Sequence, residues 1–182
     1  AMTYYPQGDA SGPHDGYPGS LFGVGHAWHM YVSEFSIPVP VISATKNLDD
    51  LNTATTLIPF TDVRAGIGSL EALQEIPRVG MEYMPAQGTQ TCGKIYMSWG
   101  AHFQEDDQNV ASHMWCDTDL TNAAGAWWAG DSSLYSVNDY LFEIPANWAD
   151  TAVDGKYLMT GRFRDGGWSG MGPCLYAIAP WE

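Results

Sequence analysis

The sequence has few positive charges. Its 182 residues include 7 Lys and Arg against 21 Asp and Glu, which gives a formal net charge of −14. So few cations cannot neutralise a row of phosphates or a negatively charged bilayer, so we expect neither nucleic acid nor a membrane surface as a partner. Long apolar runs are also missing, because no stretch approaches the ~20 residues of a membrane-spanning helix.

Cysteines and catalytic signatures are scarce as well. The 3 cysteines form no CxxC pair, which excludes a zinc knuckle and a thiol redox motif. There is no Gly-x-Ser-x-Gly elbow, Walker sequence or dinucleotide fingerprint, so no motif indicates a cofactor. Together with the shortage of lysine, this composition favours an extracellular or periplasmic protein.

Aromatic and turn-forming residues are abundant. Aromatics make up 13% of the chain and charged residues only 15%, with 20 Gly and 11 Pro. Short strands and tight turns need such a composition, and a helical bundle does not. With 45% hydrophobic residues the chain can bury a core, and its length suggests one all-β unit over 1–182.

Similar apolar runs recur three times along the chain. A first run ends at a proline in 1–6, 80–85 and 140–145. A second and a third run follow each time, and a fourth run closes two of the three units. The second runs are 20–25, 94–100 and 156–161, the third runs are 29–38, 113–121 and 171–180, and the fourth runs are 54–63 and 126–130.

Four short strands per repeat predict a β-propeller-like fold. The approximate repeats are 1–66, 78–131 and 135–182, so we expect about three four-stranded blades, the last incomplete. A β-sandwich with three similar hairpins is the alternative. The three-unit pattern resembles β-propeller repeat proteins as a broad class, without the WD40, kelch or calcium-propeller signatures. One helix is predicted, over 68–75, in a connection.

Three blades cannot close a ring, because propellers have about 4–8 blades. We therefore expect this unit to be part of a larger ring, completed either by the remaining blades of a longer chain or by self-association.

Polar and aromatic side chains cluster in the connections between the second and third strands of each repeat. In a four-stranded blade these connections lie on one face. Exposed aromatic rings beside groups that donate and accept hydrogen bonds are typical of a ligand site. The predicted ligand-binding residues are His26, Trp28, His102, Arg162, Arg164, Asp165 and Trp168.

The tryptophans and arginines of this set have proposed roles. Trp28 and Trp168 would stack on a sugar ring, and Arg162 and Arg164 would hold acidic groups, because a guanidinium is a planar fork of donors. The alternatives are that Trp168 packs between blades and that Arg164 pairs with Asp165 inside the loop.

Metal binding is a weaker expectation. His29 and His113 occupy equivalent positions, so they either fill a repeated structural position or bind a metal ion. Asp106 and Asp107 are candidates for Ca²⁺, which prefers carboxylate oxygens, and a solvated charged loop is the alternative.

Three functions fit these features. The first is a secreted module that binds a saccharide or another polar, acidic polymer. The second is a glycoside hydrolase or polysaccharide lyase that uses the same face, with a His or carboxylate as general base. The third is a structural subunit whose blades complete a ring with other chains.

Overall fold

The computed structural model is almost entirely β. It describes residues 1–9, 17–25, 30–65, 67, 78–100, 111–131, 137, 140–163 and 173–181. The strands are β1 (Met2–Tyr5), β2 (Ser20–Val24), β3 (Val32–Ser36), β4 (Thr56–Thr61), β5 (Arg78–Met84), β6 (Lys94–Gly100), β7 (His113–Asp117), β8 (Ala124–Trp127), β9 (Tyr140–Glu143), β10 (Leu158–Arg162) and β11 (Cys174–Ile178).

The strands form three antiparallel sheets, each from one continuous part of the chain. Sheet 1 has the order β1-β2-β3-β4, sheet 2 the order β5-β6-β7-β8, and sheet 3 the order β9-β10-β11. The predicted all-β class with successive antiparallel sheets is confirmed. Within the described residues the sheets close neither a propeller nor a barrel. Each predicted run overlaps a strand, although β5 and β8 each begin two residues before the predicted start and β10 ends one residue after the predicted 161.

Sheet 1 packs against sheet 2. The backbone N–H of Tyr83 on β5 donates to Thr3 Oγ1 on β1 at 2.9 Å, and the rings of Tyr5 and Tyr83 have centroids 4.9 Å apart. Apolar side chains from both sheets fill the space between them. The fully or nearly fully buried members of this cluster are Phe22, Met30, Val32, Val63, Met81, Ile95, Met97, Trp99, Met114, Cys116 and Leu120.

Sheet 3 packs against the opposite face of sheet 2. A smaller cluster of Met84, Tyr96, Leu141, Leu158 and Trp181 fills this joint. Near the chain end, the backbone N–H of Thr89 donates to the Trp181 carbonyl oxygen at 3.1 Å. Sheet 2 is therefore the middle layer, with a packed neighbour on each face.

A tyrosine lies over a glycine in both of the first two sheets. Tyr4 covers Gly19, and Tyr83 covers Gly93, so that a Cβ at either glycine would overlap the ring. Each glycine immediately precedes the second strand of its sheet. The two contacts occupy equivalent positions, which shows that the repeat extends from the sequence to side-chain packing.

One short helix, α1 (Ala146–Ala152), lies in the β9–β10 connection, where the sequence predicts only turns. Pro145 precedes it and already has the φ of −54° that suits a helix start. Ala149 is buried against Ile144 and Met159 of sheet 3. The helix ends at Ala152, and Asp154, two residues later, has φ +53°. Packing onto sheet 3 thus stabilises a helix too short to form alone. The predicted helix at 68–75 lies outside the described residues.

The two ends of the strands are distinct. We call the end at which β2, β4, β6, β8 and β10 finish the upper end, and the end at which β1, β3, β5, β7 and β9 finish the lower end. Arg64, after β4, contacts Trp99 near the end of β6, so the upper ends of sheets 1 and 2 are adjacent. His113 on β7 contacts Thr160 on β10 in the same way for sheets 2 and 3.

Candidate functional site

Among the described residues, arginine and lysine separate between the two ends of the strands. Arg64 follows β4, Arg78 begins β5 and Arg162 ends β10, all at the upper end. All three lysines lie at the lower end: Lys46 in the β3–β4 connection, and Lys94 and Lys156 before or at the start of a second strand. The upper end of this acidic chain therefore holds the three described arginines, and Arg164 lies outside the described residues.

Arg162 is a buried cation. It is the last residue of β10 and is only 2% exposed. Because Leu158, Thr160 and Arg162 alternate along the strand, Arg162 shares the face that packs on sheet 2. Its guanidinium carbon lies 5.6 Å from the ring centroid of Phe163, the next residue, which is exposed. The structure thus places the charge beneath the upper end and an aromatic ring on its surface.

Arg64 makes a second cation–aromatic pair. Its guanidinium carbon lies 4.9 Å from the Trp99 ring centroid, and the Trp99 side chain is buried. Burial lowers the pKa of Arg64, and the nearby Asp62 carboxylate raises it in part. Asp62 also organises the turn, because its Oδ1 accepts hydrogen bonds from the backbone N–H groups of Arg64 and Ala65, each at 3.1 Å. Aromatic packing and a short turn therefore fix the guanidinium in place.

His113 connects sheets 2 and 3. Its Nε2 lies 2.7 Å from Thr160 Oγ1 and its Nδ1 lies 2.9 Å from Ser112 Oγ. The Thr160 hydroxyl donates its proton to the Val137 carbonyl oxygen at 3.3 Å. It must then accept from the histidine, which assigns the ring proton to Nε2. Burial lowers the pKa of His113 to about 4, so the ring is neutral at physiological pH.

Two glutamates lie on adjacent first strands where sheet 3 packs on sheet 2. Burial raises the pKa of Glu82 on β5 to about 7, and the negative charge of the exposed Glu143 on β9 adds to that rise. A carboxyl that stays protonated near neutral pH can donate a proton. Sequence reasoning expected a carboxylate as a general base without singling out Glu82.

Exposed aromatic rings complete the upper end. Trp128 follows β8 and is 57% exposed, while its neighbour Trp127 packs on Trp115 with ring centroids 6.2 Å apart. With Phe163, Trp128 gives the upper end two rings that reach the surface. Sequence reasoning missed Arg64 and Trp128 because it searched the connections after second strands and neglected those after fourth strands, and it missed Trp99 because this residue lies on β6 itself.

Most of the predicted ligand-binding and metal-binding residues lie outside the described residues. Arg162, from the ligand-binding set, and His113, from the metal candidates, have described side chains, and both are buried. The remaining predicted residues, which lie outside the described ones, are His26, Trp28, His29, His102, Asp106, Asp107, Arg164, Asp165 and Trp168. By their positions in the chain they fall between β2 and β3, between β6 and β7, and between β10 and β11.

Metal ligands do not cluster in the described part of the chain, where no three His, Cys, Asp or Glu side chains form a set that could hold an ion. The buried His113 bonds two hydroxyls rather than facing a cavity. The described residues also include no helix long and apolar enough to cross a bilayer.

No protein-family model, curated protein or solved structure matches this chain. The assignment of function therefore rests on the upper end itself. Its chemistry combines fixed guanidinium groups, exposed aromatic rings and a neutral buried histidine.

Proposed function

We propose that the chain is a β-propeller module, extracellular or periplasmic, that binds a saccharide or another polar, acidic polymer at its upper end. The observation that carries this proposal is that the three arginines of the described residues, Arg64, Arg78 and Arg162, all lie at that end, in a chain of net charge −14. A guanidinium binds a carboxylate or sulfate through two parallel hydrogen bonds, which a lysine ammonium cannot do. Restricting arginine to one end is what recognition of an acidic ligand requires.

The propeller arrangement is supported by how the sheets stack. Their first strands, β1, β5 and β9, lie next to one another, and the upper ends of neighbouring sheets stay adjacent. Successive four-stranded sheets joined in this way are the building pattern of a propeller. Connections at one end then converge on a shared surface, where several blades contribute to one site.

Aromatic rings supply the second part of the proposed recognition. Phe163 and Trp128 reach the surface, and each lies at the upper end. A flat ring offers apolar area to the face of a sugar, while polar groups around it bond the hydroxyls. Arg162 provides positive potential beside Phe163, Arg64 provides it beside Trp99, and the partly buried setting strengthens it relative to water.

Binding of polygalacturonate, a polymer of acidic sugars, tests the proposal, with neutral dextran as the comparison. Calorimetric titration should show tighter binding of polygalacturonate, weakened at least tenfold by Phe163→Ala or by Arg64→Ala. Two lower-end variants are matched controls: Trp148→Ala removes an exposed tryptophan, and Lys46→Ala removes an exposed cation. Equal losses in the controls, or equal binding of both polymers, would overturn the assignment to the upper end.

A glycoside hydrolase or polysaccharide lyase is the second candidate, favoured by the Glu82–Glu143 pair. A carboxyl of raised pKa beside a second carboxylate is the arrangement that glycoside hydrolysis uses. The decisive measurement is release of reducing ends from polygalacturonate by the unaltered chain and by Glu82→Gln. An enzyme is supported if the unaltered chain releases reducing ends and Glu82→Gln abolishes that turnover while it still binds the polymer. Binding without turnover in the unaltered chain supports a binding module.

A further inference from the structure

Each sheet has a face that points to the sheet before it and a face that points to the sheet after it. On β1, Thr3 and Tyr5 point to sheet 2, as their contacts with Tyr83 show. On β5, Met81 and Tyr83 point back to sheet 1, while Gly80 points on to sheet 3. We call the face that points to the preceding sheet the back face, and the face that points to the following sheet the front face. The stacking direction is therefore the same at both internal joints.

The same alternation defines two faces at the outside of the stack. Phe142 occupies the position of Thr3 and Glu82 in the repeat, three residues before the proline, so it lies on the front face of sheet 3. Leu141 points back and is buried against sheet 2. On sheet 1, Met2 and Tyr4 alternate with Thr3 and therefore lie on the back face.

Both outside faces are apolar and open to solvent. On the front of sheet 3, Phe142 is 41% and Leu175 is 49% exposed, and Tyr140 lies opposite Leu175 across β10. Helix α1 covers only the lower part of this face, around Ile144. On the back of sheet 1, Met2 is 58% and Tyr4 is 49% exposed, with Leu21 and Phe35 in register beside Tyr4. Contiguous apolar area of this kind marks an interaction surface.

We propose that the two outside faces bind each other between two copies of this chain. The front of sheet 3 in one copy would pack on the back of sheet 1 in the other, and the reverse contact would close a ring. The contact between two copies would be equivalent to a joint within one copy. Each internal joint of the chain pairs a front face with a back face, and a second copy supplies the same pairing. Two copies of three sheets give six, within the range of about 4–8 that closed propellers have.

The contact is head-to-tail, which distinguishes it from most dimers, in which a patch pairs with itself. Each copy uses two different faces, and the ring has two identical joints. The net charge of −14 per copy opposes association, so salt should strengthen the dimer. The proposal depends on sheet stacking and not on a ligand, so a monomer that still binds polygalacturonate would overturn it and leave the proposed function intact.

Light scattering on the full chain, at low and at moderate salt, tests the proposal. We expect a mass of two chains at micromolar concentration and a dissociation constant that falls as salt rises. Phe142→Asp and Tyr4→Asp each place a charge in both joints and should weaken association at least a hundredfold. Ile42→Asp is the matched control, because Ile42 is 97% exposed in the β3–β4 connection and belongs to neither face. Melting curves verify that each variant folds.

Mixing the two variants gives the sharpest result. The Tyr4→Asp copy retains its front face and the Phe142→Asp copy its back face, so the mixture should form a dimer through one intact joint. If instead one face paired with the same face of the other copy, only one of the two substitutions would weaken the dimer. Mixing the two variants would then not restore it. That result, or a monomer of the unaltered chain at every salt and concentration, would overturn the proposal.

Discussion

His113 on β7 and Thr160 on β10, 47 residues apart in sequence, share a buried hydrogen bond of 2.7 Å that joins sheet 2 to sheet 3. The bond continues through the Thr160 hydroxyl to the Val137 carbonyl oxygen and, on the other side of the ring, to Ser112. Four polar groups are thus satisfied together inside an otherwise apolar joint. Such a chain is costly to interrupt, because each group left without a partner stays desolvated.

Thr160→Val should destabilise the chain by about 1–3 kcal/mol. Valine keeps the shape of threonine but leaves His113 Nε2 and the Val137 carbonyl without their partner. The free energy of unfolding in urea measures the loss. Thr151→Val is the matched control: its hydroxyl also donates to a carbonyl, but on the exposed side of α1, so we expect a change below about 0.5 kcal/mol. Equal losses in both variants would show that the buried bond contributes nothing special.

Acid should unfold the chain partly through His113. Its pKa is about 4 in the fold against 6.5 for an ordinary histidine, so the unfolded chain takes up a proton first. The contribution of the neutral His113 ring to the free energy of unfolding is fully present above about pH 6.5 and is lost as the pH falls towards 4. The stability difference between the unaltered chain and His113→Gln should therefore shrink across this window. A difference that stays constant with pH would contradict the neutral buried ring.

Glu82 should act in the opposite sense. Its pKa is about 7 in the fold and 4.5 ordinarily, so the folded chain holds the proton more tightly. The contribution of the Glu82 carboxyl to the free energy of unfolding is fully present below about pH 4.5 and is lost as the pH rises to 7. Glu82→Gln should remove this loss, on the order of 1–2 kcal/mol after solvent screening of a partly exposed group.

The pH dependence of unfolding in urea checks the Glu82 prediction. Asp154→Asn is the matched control, because it removes an exposed carboxyl in the turn after α1. If Glu82→Gln and the unaltered chain have parallel pH curves, the carboxyl does not carry a raised pKa.

Alanine should be tolerated at Gly19 and not at Gly80. A Cβ at Gly80 would lie 2.7 Å from Leu141 Cβ and 2.6 Å from Ser98 Oγ, inside the joint between sheets 2 and 3. At Gly19 the obstacle is the half-exposed ring of Tyr4, which can turn away. We expect Gly80→Ala to lower the melting temperature clearly, at a cost of about 1–3 kcal/mol, and Gly19→Ala to change it little. Reversed outcomes would contradict the described packing of sheet 3.

Most strands could be predicted from the sequence because each carries a run of apolar residues between turn-formers. The start of β8 could not, because Ala124 and Gly125 give no apolar signal. Helix α1 was also missed: its turn-like sequence becomes helical because Ala149 finds an apolar surface on sheet 3, which only the folded chain provides. Tertiary contacts of this kind override local preference.

The end of the strands that carries the candidate site could be predicted from the sequence, but the burial and pKa values of its residues could not. The order of the runs already assigns every connection to one end, so the separation of arginine from lysine could have been found without coordinates. The burial of Arg162 could not, because it depends on how closely sheet 2 approaches β10. The raised pKa of Glu82 likewise arises first from burial and then from the charge of Glu143, which is 61 residues away in sequence and near only after the sheets stack.

Each sheet forms from one uninterrupted stretch of chain, and this has a consequence for the order of folding. Hairpins close locally, so a sheet can assemble before its neighbours, but it gains most of its apolar burial only when another sheet docks. Sheet 2 has docked neighbours on both faces, whereas sheets 1 and 3 have one each. In the dissociated, single copy, amide protons of β5 and β6 should thus exchange most slowly with deuterium, and local opening should start at sheets 1 and 3 and move inward.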